Sequence, residues 1–374
     1  MTTKKIVHVG IDVDDKAFHG AGLSLETGEF VQFKCKPDFG VLRKKLEKYF
    51  PTDKIRLCYE ACHIGYPLCR SLNNVDIHCD IIAPSLIPSK PGKRVKNDRL
   101  DALKLAEFYA KGLLTPIYIP SEEDEEIRDL LRSRGFLVKQ RKMLKTHILS
   151  ACKRYDIFFL KETCHKTNWT DTHISWLKKR AKDLNREVCR IDIEMLLAQF
   201  TSLTESIEKL EAVAIRISES ERYKKVNDAL VCFRGISTIT AMTLISELGD
   251  IWRFPHPKQL TAYCGLDIAE YSSGGKQNKK GITKTGNKHV RTILIESCQL
   301  ALNPPILSKR LRKLREGQPQ EVIDIADRCM SRLHKKSTRM LYAGKHKNKI
   351  KIAAAREMLG FIWEVMKLTT PKAQ

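Results

Sequence analysis

Along the first hundred residues the apolar positions switch repeatedly between strand-like alternation and helical spacing. Lys5 to Val13 (KIVHVGIDV) is a β-branched run that ends in acidic residues, and Phe18 to Ser24 and Glu29 to Lys34 follow it, separated by the turn-like Glu26-Thr27-Gly28. These segments predict three consecutive antiparallel strands. Phe39 to Phe50 carries apolar residues at helical spacing, Lys54 to Tyr59 (KIRLCY) returns to strand, Tyr66 to Leu72 suits a short helix and Val75 to Ile82 another strand.

Three strands, helix, strand, helix, strand is the element order of a ribonuclease-H-like α/β domain, although a fold by itself does not give a function. After Ala83-Pro84 comes a basic loop, SKPGKRVKNDR, which brings Lys93, Arg94 and Lys96 together and leads into DALKLAEFYAKG, a helical pattern with a glycine stop. Ser121 to Glu126 reads as a helix start whose carboxylates the helix dipole favours. From there to about Ile217 the chain is charged, with recurrent Leu and Ile and few breakers. Long helices are expected, as an antiparallel or intermolecular coiled coil. Near Val226 a further region opens with CFRGISTITAMTLISELGD. It resembles a helix-hairpin-helix, whose turn amides can hold a phosphate; a plain helix pair is the competing reading. The expected division is 1–115, an α/β domain; 116–225, a helical connector; and 226–374, a mostly α-helical domain.

The charge narrows the function. With 67 Lys and Arg against 44 Asp and Glu in 374 residues, the formal charge is +23, more than solubility requires, so a polyanionic partner is expected. No apolar run approaches the roughly 20 residues of a spanning helix, which sets a membrane partner aside. The opening MTTKKIVHVGIDVDD shows no secretory signal, and a cytoplasmic protein is expected. Twelve cysteines scattered from Cys35 to Cys329 suit free thiols in a reducing compartment. Cys58, Cys62 and Cys69 lack the spacing of paired zinc knuckles, and Cys164-His165 with His173 is a weaker hint still.

Two sets of residues carry chemistry. Asp12 ends the first strand, and Glu60 follows the strand that lies beside it in such a sheet, so two carboxylates converge at one sheet edge. Asp98 and Asp101, three apart at a helix start, project from about the same face. If that helix packs on the sheet, four acids meet; such a cluster repels itself unless a cation neutralises it, and oxygen ligands suit Mg²⁺ or Mn²⁺. An acid in an apolar strand is costly to bury unpaired, which favours a functional Asp12 and Glu60. Asp98 alone could be a cap and Asp101 a solvated first-turn acid, while Asp14 and Asp15 read as surface turn residues.

The second set runs from Ser272 through Ile295, SSGGKQNKKGITKTGNKHVRTILI, which holds no acid. Lys276, Lys279, Lys280, Lys284, Lys288 and Arg291 accompany four glycines, a composition that permits close approach to phosphates and neutralises them. A serine just before Gly274-Gly275 is sterically exposed and could attack phosphorus; taken alone, the segment is an ordinary phosphate-binding loop. The stretch from Cys329 to Arg356 also lacks acids, and reads as a nucleic-acid-facing segment followed by an amphipathic helix, IAAAREMLGFIWEVM. Trp252 and Phe254 read as core rather than base-stacking groups.

The separated motifs Gly10-Ile11-Asp12, Tyr59-Glu60-Ala61, Lys96-Asn97-Asp98-Arg99-Leu100-Asp101-Ala102, Tyr271-Ser272-Ser273-Gly274-Gly275-Lys276 and Gly281-Ile282-Thr283-Lys284-Thr285-Gly286-Asn287 occur in one order. Together they resemble the DEDD-type insertion-sequence transposases, also called bridge-RNA-guided recombinases and related to pilin-gene invertases. The resemblance covers nearly the whole chain. It implies a RuvC-like domain, a coiled coil and a serine-bearing transposase domain. It implies that Asp12, Glu60, Asp98 and Asp101 bind Mg²⁺ or Mn²⁺ and that a serine of the Ser272-Ser273 pair forms a covalent phosphoserine intermediate before strand exchange through a Holliday junction. Ser273, which directly precedes Gly274, is the preferred nucleophile, and Ser272 remains the alternative. It further implies donor and target DNA, a structured noncoding guide RNA, and assembly as a homo-tetramer or dimer. Two other classes compete: a metal-dependent, junction-resolvase-like nuclease without a covalent intermediate, and a non-catalytic nucleic-acid-binding protein. The presence of all four acids and the serine pair speaks against the last.

Overall fold

A computed structural model of the chain describes residues 5–51, 53–88, 98–270 and 279–372. It divides into two compact units, Met1–Ile119 and Pro120–Gln374.

The first unit is a mixed α/β domain built on a five-stranded sheet. Its elements follow in the predicted order: β1 (Ile6–Val13), β2 (Phe18–Leu23), β3 (Phe30–Cys35), α1 (Phe39–Tyr49), β4 (Lys54–Glu60), α2 (Pro67–Asn73), β5 (His78–Ile82) and α3 (Asp98–Ala110). The spatial order is β3-β2-β1-β4-β5, with β1–β2 and β2–β3 antiparallel and β1–β4 and β4–β5 parallel. Period-two alternation sends Val7, Val9 and Ile11 of β1 to one face, where they meet Leu42 and Leu46 of α1 and Leu68 and Leu72 of α2. The opposite face carries Ala21, Cys58 and Ile82 and is covered by Ala102, Leu105 and Ala106 of α3. A helix on each face is what a sheet with two apolar faces requires. The α1 start is fixed by Asp38, whose carboxylate accepts the Val41 amide at 2.9 Å.

The second unit is mostly helical. It contains α4 (Glu122–Arg154), α5 (Phe159–Glu162), α6 (Asp171–Lys182), α7 (Glu187–Ser218), α8 (Glu221–Val231), α9 (Thr238–Leu248), α10 (Pro257–Tyr263), the short strands β6 (Ile268–Glu270) and β7 (Lys279–Ile282), then α11 (Lys288–Ser297), α12 (Lys309–Arg315), α13 (Gln320–Tyr342) and α14 (Lys347–Thr369). Ser121 caps α4 by accepting the Asp124 amide, and four acids fill the first turn. The long helices α4 and α7 run antiparallel: Ile148 and Cys152 pack with Ile193 and Leu197, Tyr155 donates to Asp192 at 2.8 Å, and nearer the middle Arg134 pairs with Glu211. The base of α4, through Ile127 and Leu131, joins the same core as α8, α9, α11, α13 and α14. The hairpin is thus anchored in the C-terminal helices.

Phe254 is buried in that core and Trp252 packs against it, the indole N–H of Trp252 donating to the Thr370 carbonyl at 3.1 Å, as their core reading expects. The cysteines are free thiols. Cys58 lies buried within β4 while Cys62 is exposed, and His173 accepts the Trp169 amide at Nδ1; none of these joins a metal-ligating cluster among the described residues. No helix of the described residues is long and apolar enough to cross a membrane.

Candidate metal centre and serine hairpin

The carboxylate region begins with a missing side chain. A Cβ added to Gly10 would lie 2.4 Å from the Ala102 carbonyl oxygen and 2.5 Å from the Ala106 nitrogen, so α3 rests almost on the backbone of β1. His8, two residues earlier on the same face, meets the Tyr109 ring edge-on at 5.6 Å. Helix and strand therefore run in opposite senses, and the first turn of α3 comes over the last residues of β1. Asp12 is there, on the α3 face, with His19 directly across the β1–β2 ladder.

Donor atoms of Asp12, His19 and Asp98 all lie within 4.8 Å of one another. The His19 Nδ1 stands 3.7 Å from an Asp98 carboxylate oxygen, is buried, and has no hydrogen-bond partner. Asp98 itself is largely solvent-facing and Asp12 half-buried. Glu60, the last residue of β4, follows the Ile11–Tyr59 pair, so the register sets it beside Asp12 on the face shared with Cys58. It is exposed, and Asp101 lies half-buried on the first turn of α3. Both stand outside the close trio. Asp14 accepts the Lys16 amide and Asp15 pairs with His63 at 2.6 Å, the surface-turn roles expected of them. Lys93, Arg94 and Lys96 lie outside the described residues.

His19 is the residue that sequence reasoning missed. The sequence carried only part of the signal: Phe18 to Ser24 reads as the strand that follows Asp12, but it is the observed register, with Val13 opposite Phe18, that sets position 19 across from position 12. The donor chemistry of the trio, two carboxylates and an unpaired buried imidazole nitrogen, fits a divalent cation.

The second region lies at the β6–β7 hairpin. Ser272, Ser273 and Lys276 fall in the connection between these strands, outside the described residues; Lys279 and Lys280 are placed by their backbone in β7. What is described is the base. The Thr283 amide donates to Asp267 at 2.8 Å, Lys284 to Gly265 at 3.1 Å and Asn287 to Tyr263 at 2.8 Å. Gly265 (φ +63°) and Gly286 (φ +83°) let the two segments close: added Cβ atoms would come within 2.0 Å of the Thr285 carbonyl oxygen and 2.1 Å of that of Tyr263. Arg291 turns inward, donating to the Cys264 carbonyl at 2.8 Å, whereas Lys284 and Lys288 are exposed.

Beneath this base is a polar anchor. Asn287 caps α11 through the His289 and Val290 amides and donates its side-chain N–H to Glu247 at 2.8 Å. Glu247, only 2% exposed, also receives Arg132 through Nε at 2.7 Å and Nη2 at 2.9 Å. Burial pushes the Glu247 pKa up, but the hydrogen bonds from Arg132 and Asn287 and the charges of Arg132 and Arg128 outweigh it and leave the carboxyl below its usual range. Arg128 holds the neighbouring Ser246 carbonyl through two nitrogens. Lone acids in an apolar helix such as TITAMTLISEL are the sequence signal for such an anchor.

The Transposase IS116/IS110/IS902 family matches residues 227–311, and the DEDD transposase family of the IS110 type matches residues 9–156. The chain is 33% identical over 333 residues to the Sinorhizobium fredii protein called transposase y4qE, covering 88% of this chain and 79% of that one. It is 30% identical over 341 residues to the transposase for insertion sequence element IS1533 of Leptospira borgpetersenii, covering 89% and 96%, and 28% identical over 308 residues to that for IS1111A of Coxiella burnetii, covering 80% and 79%. A five-stranded α/β unit with acids at one edge, followed by a basic helical unit, is thus the make-up of a DNA transposase. The chain belongs to the IS110/IS116/IS902 family of insertion-sequence transposases.

Proposed function

We propose that this transposase cuts and rejoins DNA through a serine nucleophile, with a divalent cation held by a tetrad of Asp12, Glu60, Asp98 and Asp101. The observation that carries the reading is the convergence of Asp12 and Asp98 at the sheet edge, with Glu60 and Asp101 on the same face. On this reading the sheet is a RuvC-like, ribonuclease-H-like domain, α4 and α7 form a coiled coil, and Mg²⁺ or Mn²⁺ is the working ion. A bound divalent cation supplies positive charge to a phosphodiester and lowers the pKa of oxygen bound to it.

The chemistry assigned to the chain's own groups is a transesterification. The Ser273 hydroxyl, or that of Ser272, gives up its proton and its oxygen attacks phosphorus. The bond from phosphorus to the leaving deoxyribose oxygen breaks, and that oxygen takes up a proton. The serine ester preserves the phosphodiester energy until a deoxyribose hydroxyl of the exchanging strand attacks it in the reverse sense and frees the serine. Lys276, Lys279, Lys280, Lys284 and Lys288, with Lys93, Arg94 and Lys96, hold phosphates without reading sequence. Arg291, already turned onto the Cys264 carbonyl, supports the loop from within. A noncoding bridge RNA selects donor and target DNA, the assembly is a tetramer or dimer, and the enzyme works in the cytoplasm.

The test incubates purified protein, Mg²⁺, the element's flanking transcript and donor plus target DNA, and looks for a protease-sensitive protein–DNA adduct with wild type, Ser272→Ala and Ser273→Ala. An adduct lost in one variant establishes the serine nucleophile and names it. Nicked DNA without adduct, unchanged by either substitution, overturns it in favour of a hydrolytic, junction-resolvase-like nuclease.

A further inference from the structure

We propose that His19 is a direct nitrogen ligand of the divalent cation at the Asp12–Asp98 site. The inference rests on the carboxylate reading above and goes beyond it, since the tetrad contains no histidine.

Three observations carry it. His19 faces Asp12 across the ladder, and its donor atom lies within 4.8 Å of those of both Asp12 and Asp98. The side chain is only 13% exposed, and its Nδ1 is buried with no hydrogen-bond partner. A buried polar nitrogen left so loses its contacts with water and gains nothing in return, a penalty that a bound cation removes. The 3.7 Å from Nδ1 to the Asp98 oxygen is the third. It is too long for a hydrogen bond, so a simple His–Asp pair does not satisfy the nitrogen. Ligands bound at about 2.1 Å around an octahedral ion stand about 3–4 Å apart, and that distance falls in this range.

The choice of imidazole has a chemical consequence. A further carboxylate at position 19 would add negative charge where a DNA phosphate must approach, whereas a neutral imidazole completes the ligand set without that repulsion. A nitrogen donor also favours Mn²⁺ over Mg²⁺, which prefers oxygen.

The experiment loads the full-length protein with Mn²⁺ alone and measures two things: its Kd, and nitrogen coupling to the bound ion by electron spin echo envelope modulation. Neither needs DNA, RNA or turnover. Wild type is expected to show histidine nitrogen coupling that changes on ¹⁵N-histidine labelling. His19→Gln should lose it and weaken Mn²⁺ binding on the order of 10–100-fold. His19→Asp should shift selectivity toward Mg²⁺. Asp12→Asn separates the two readings. If Mn²⁺ binds, is released by Asp12→Asn, and shows no histidine coupling or one that persists in His19→Gln, the His19 assignment is overturned and the carboxylate site stands. If Asp12→Asn binds Mn²⁺ as wild type does, the carboxylate site falls and His19 with it. Should His19→Gln fail to fold, His19→Asn is read in the same way, with His63→Gln as the control that must keep the coupling.

Discussion

The carboxylate edge and the serine hairpin solve opposite problems. At the first, acids that repel one another are forced together by rigid elements: two strand ends fixed by the β1–β4 register, and a helix pressed onto the sheet at Gly10. At the second, a segment without acids is presented on a short hairpin whose base is tied from below by Gly265, Gly286 and the Arg132–Glu247–Asn287 anchor. Convergence of like charges needs a stiff frame and a counter-ion, while a basic segment without acids needs only a firm base. The first region is therefore expected to govern chemistry and the second to govern both attack and affinity.

The largest effect that separates them is at Asp12. Asp12→Ala should reduce cleavage of DNA below detection while DNA binding is largely retained, because on the proposed reading Lys and Arg, not the acids, carry the phosphate contacts. Paired cleavage and gel-shift assays check this, and a variant with full cleavage would sink the tetrad. Next comes Gly10→Ala. The added methyl meets backbone atoms that cannot rotate away, so α3 must lift; a cost of about 1–3 kcal/mol is expected from overpacking, together with weakened Mn²⁺ binding as Asp98 moves off Asp12. Thermal unfolding and a Mn²⁺ titration read the two consequences. If α3 stays in place, stability and metal affinity will both match wild type.

Similar in its cost to folding but without the effect on metal affinity, and confined to the second region, is Glu247→Gln. It removes a buried charge whose partner Arg132 is 42% exposed, so the cost lies between that of surface and buried pairs, about 1–3 kcal/mol. The sign of its pH dependence follows from the lowered carboxyl pKa. Stability from Glu247 is present above the unfolded carboxylate pKa and is lost as pH falls through the lower folded value. Unfolding curves of wild type and variant should therefore converge in acid and separate toward neutrality; a gap that does not depend on pH would mean that packing, not charge, supplies the anchor.

How far each region can be read in the sequence follows from the same contrast. The α/β order was legible because strand alternation and helix spacing are local, and Asp12 and Glu60 stood out as acids in apolar runs. Their placement beside each other needed only the sheet order, which the pattern also carried. Gly10 belonged to the quoted motif, yet its reason, the contact with Ala102 and Ala106, joins residues some ninety positions apart and is invisible to local pattern. His19 escaped because a lone histidine in a strand gives no sign of what faces it until the hairpin register is fixed. The long helices were expected from their composition, but the anchoring of α4 by Arg128 and Arg132 to the end of α9 depends on contacts more than a hundred residues apart.

The smallest effect concerns Lys284, and here backbone and side chain can be separated. Lys284 has φ +58°, a left-handed conformation that costs a residue bearing a Cβ about 1–2 kcal/mol, and its side chain is exposed. Glycine would relieve that strain, though it adds chain entropy to the unfolded state worth about 0.4–1 kcal/mol. The two terms nearly cancel, so Lys284→Gly should leave the melting temperature close to that of wild type or slightly above. If the lysine instead holds a phosphate, DNA affinity will fall and the slope of log affinity against log salt will shrink by about 1. Asp12→Ala, by contrast, should leave that slope unaltered. An unchanged slope in Lys284→Gly would show that this loop does not carry affinity, and would return the phosphate contacts of this unit to other basic segments such as Cys329 to Arg356.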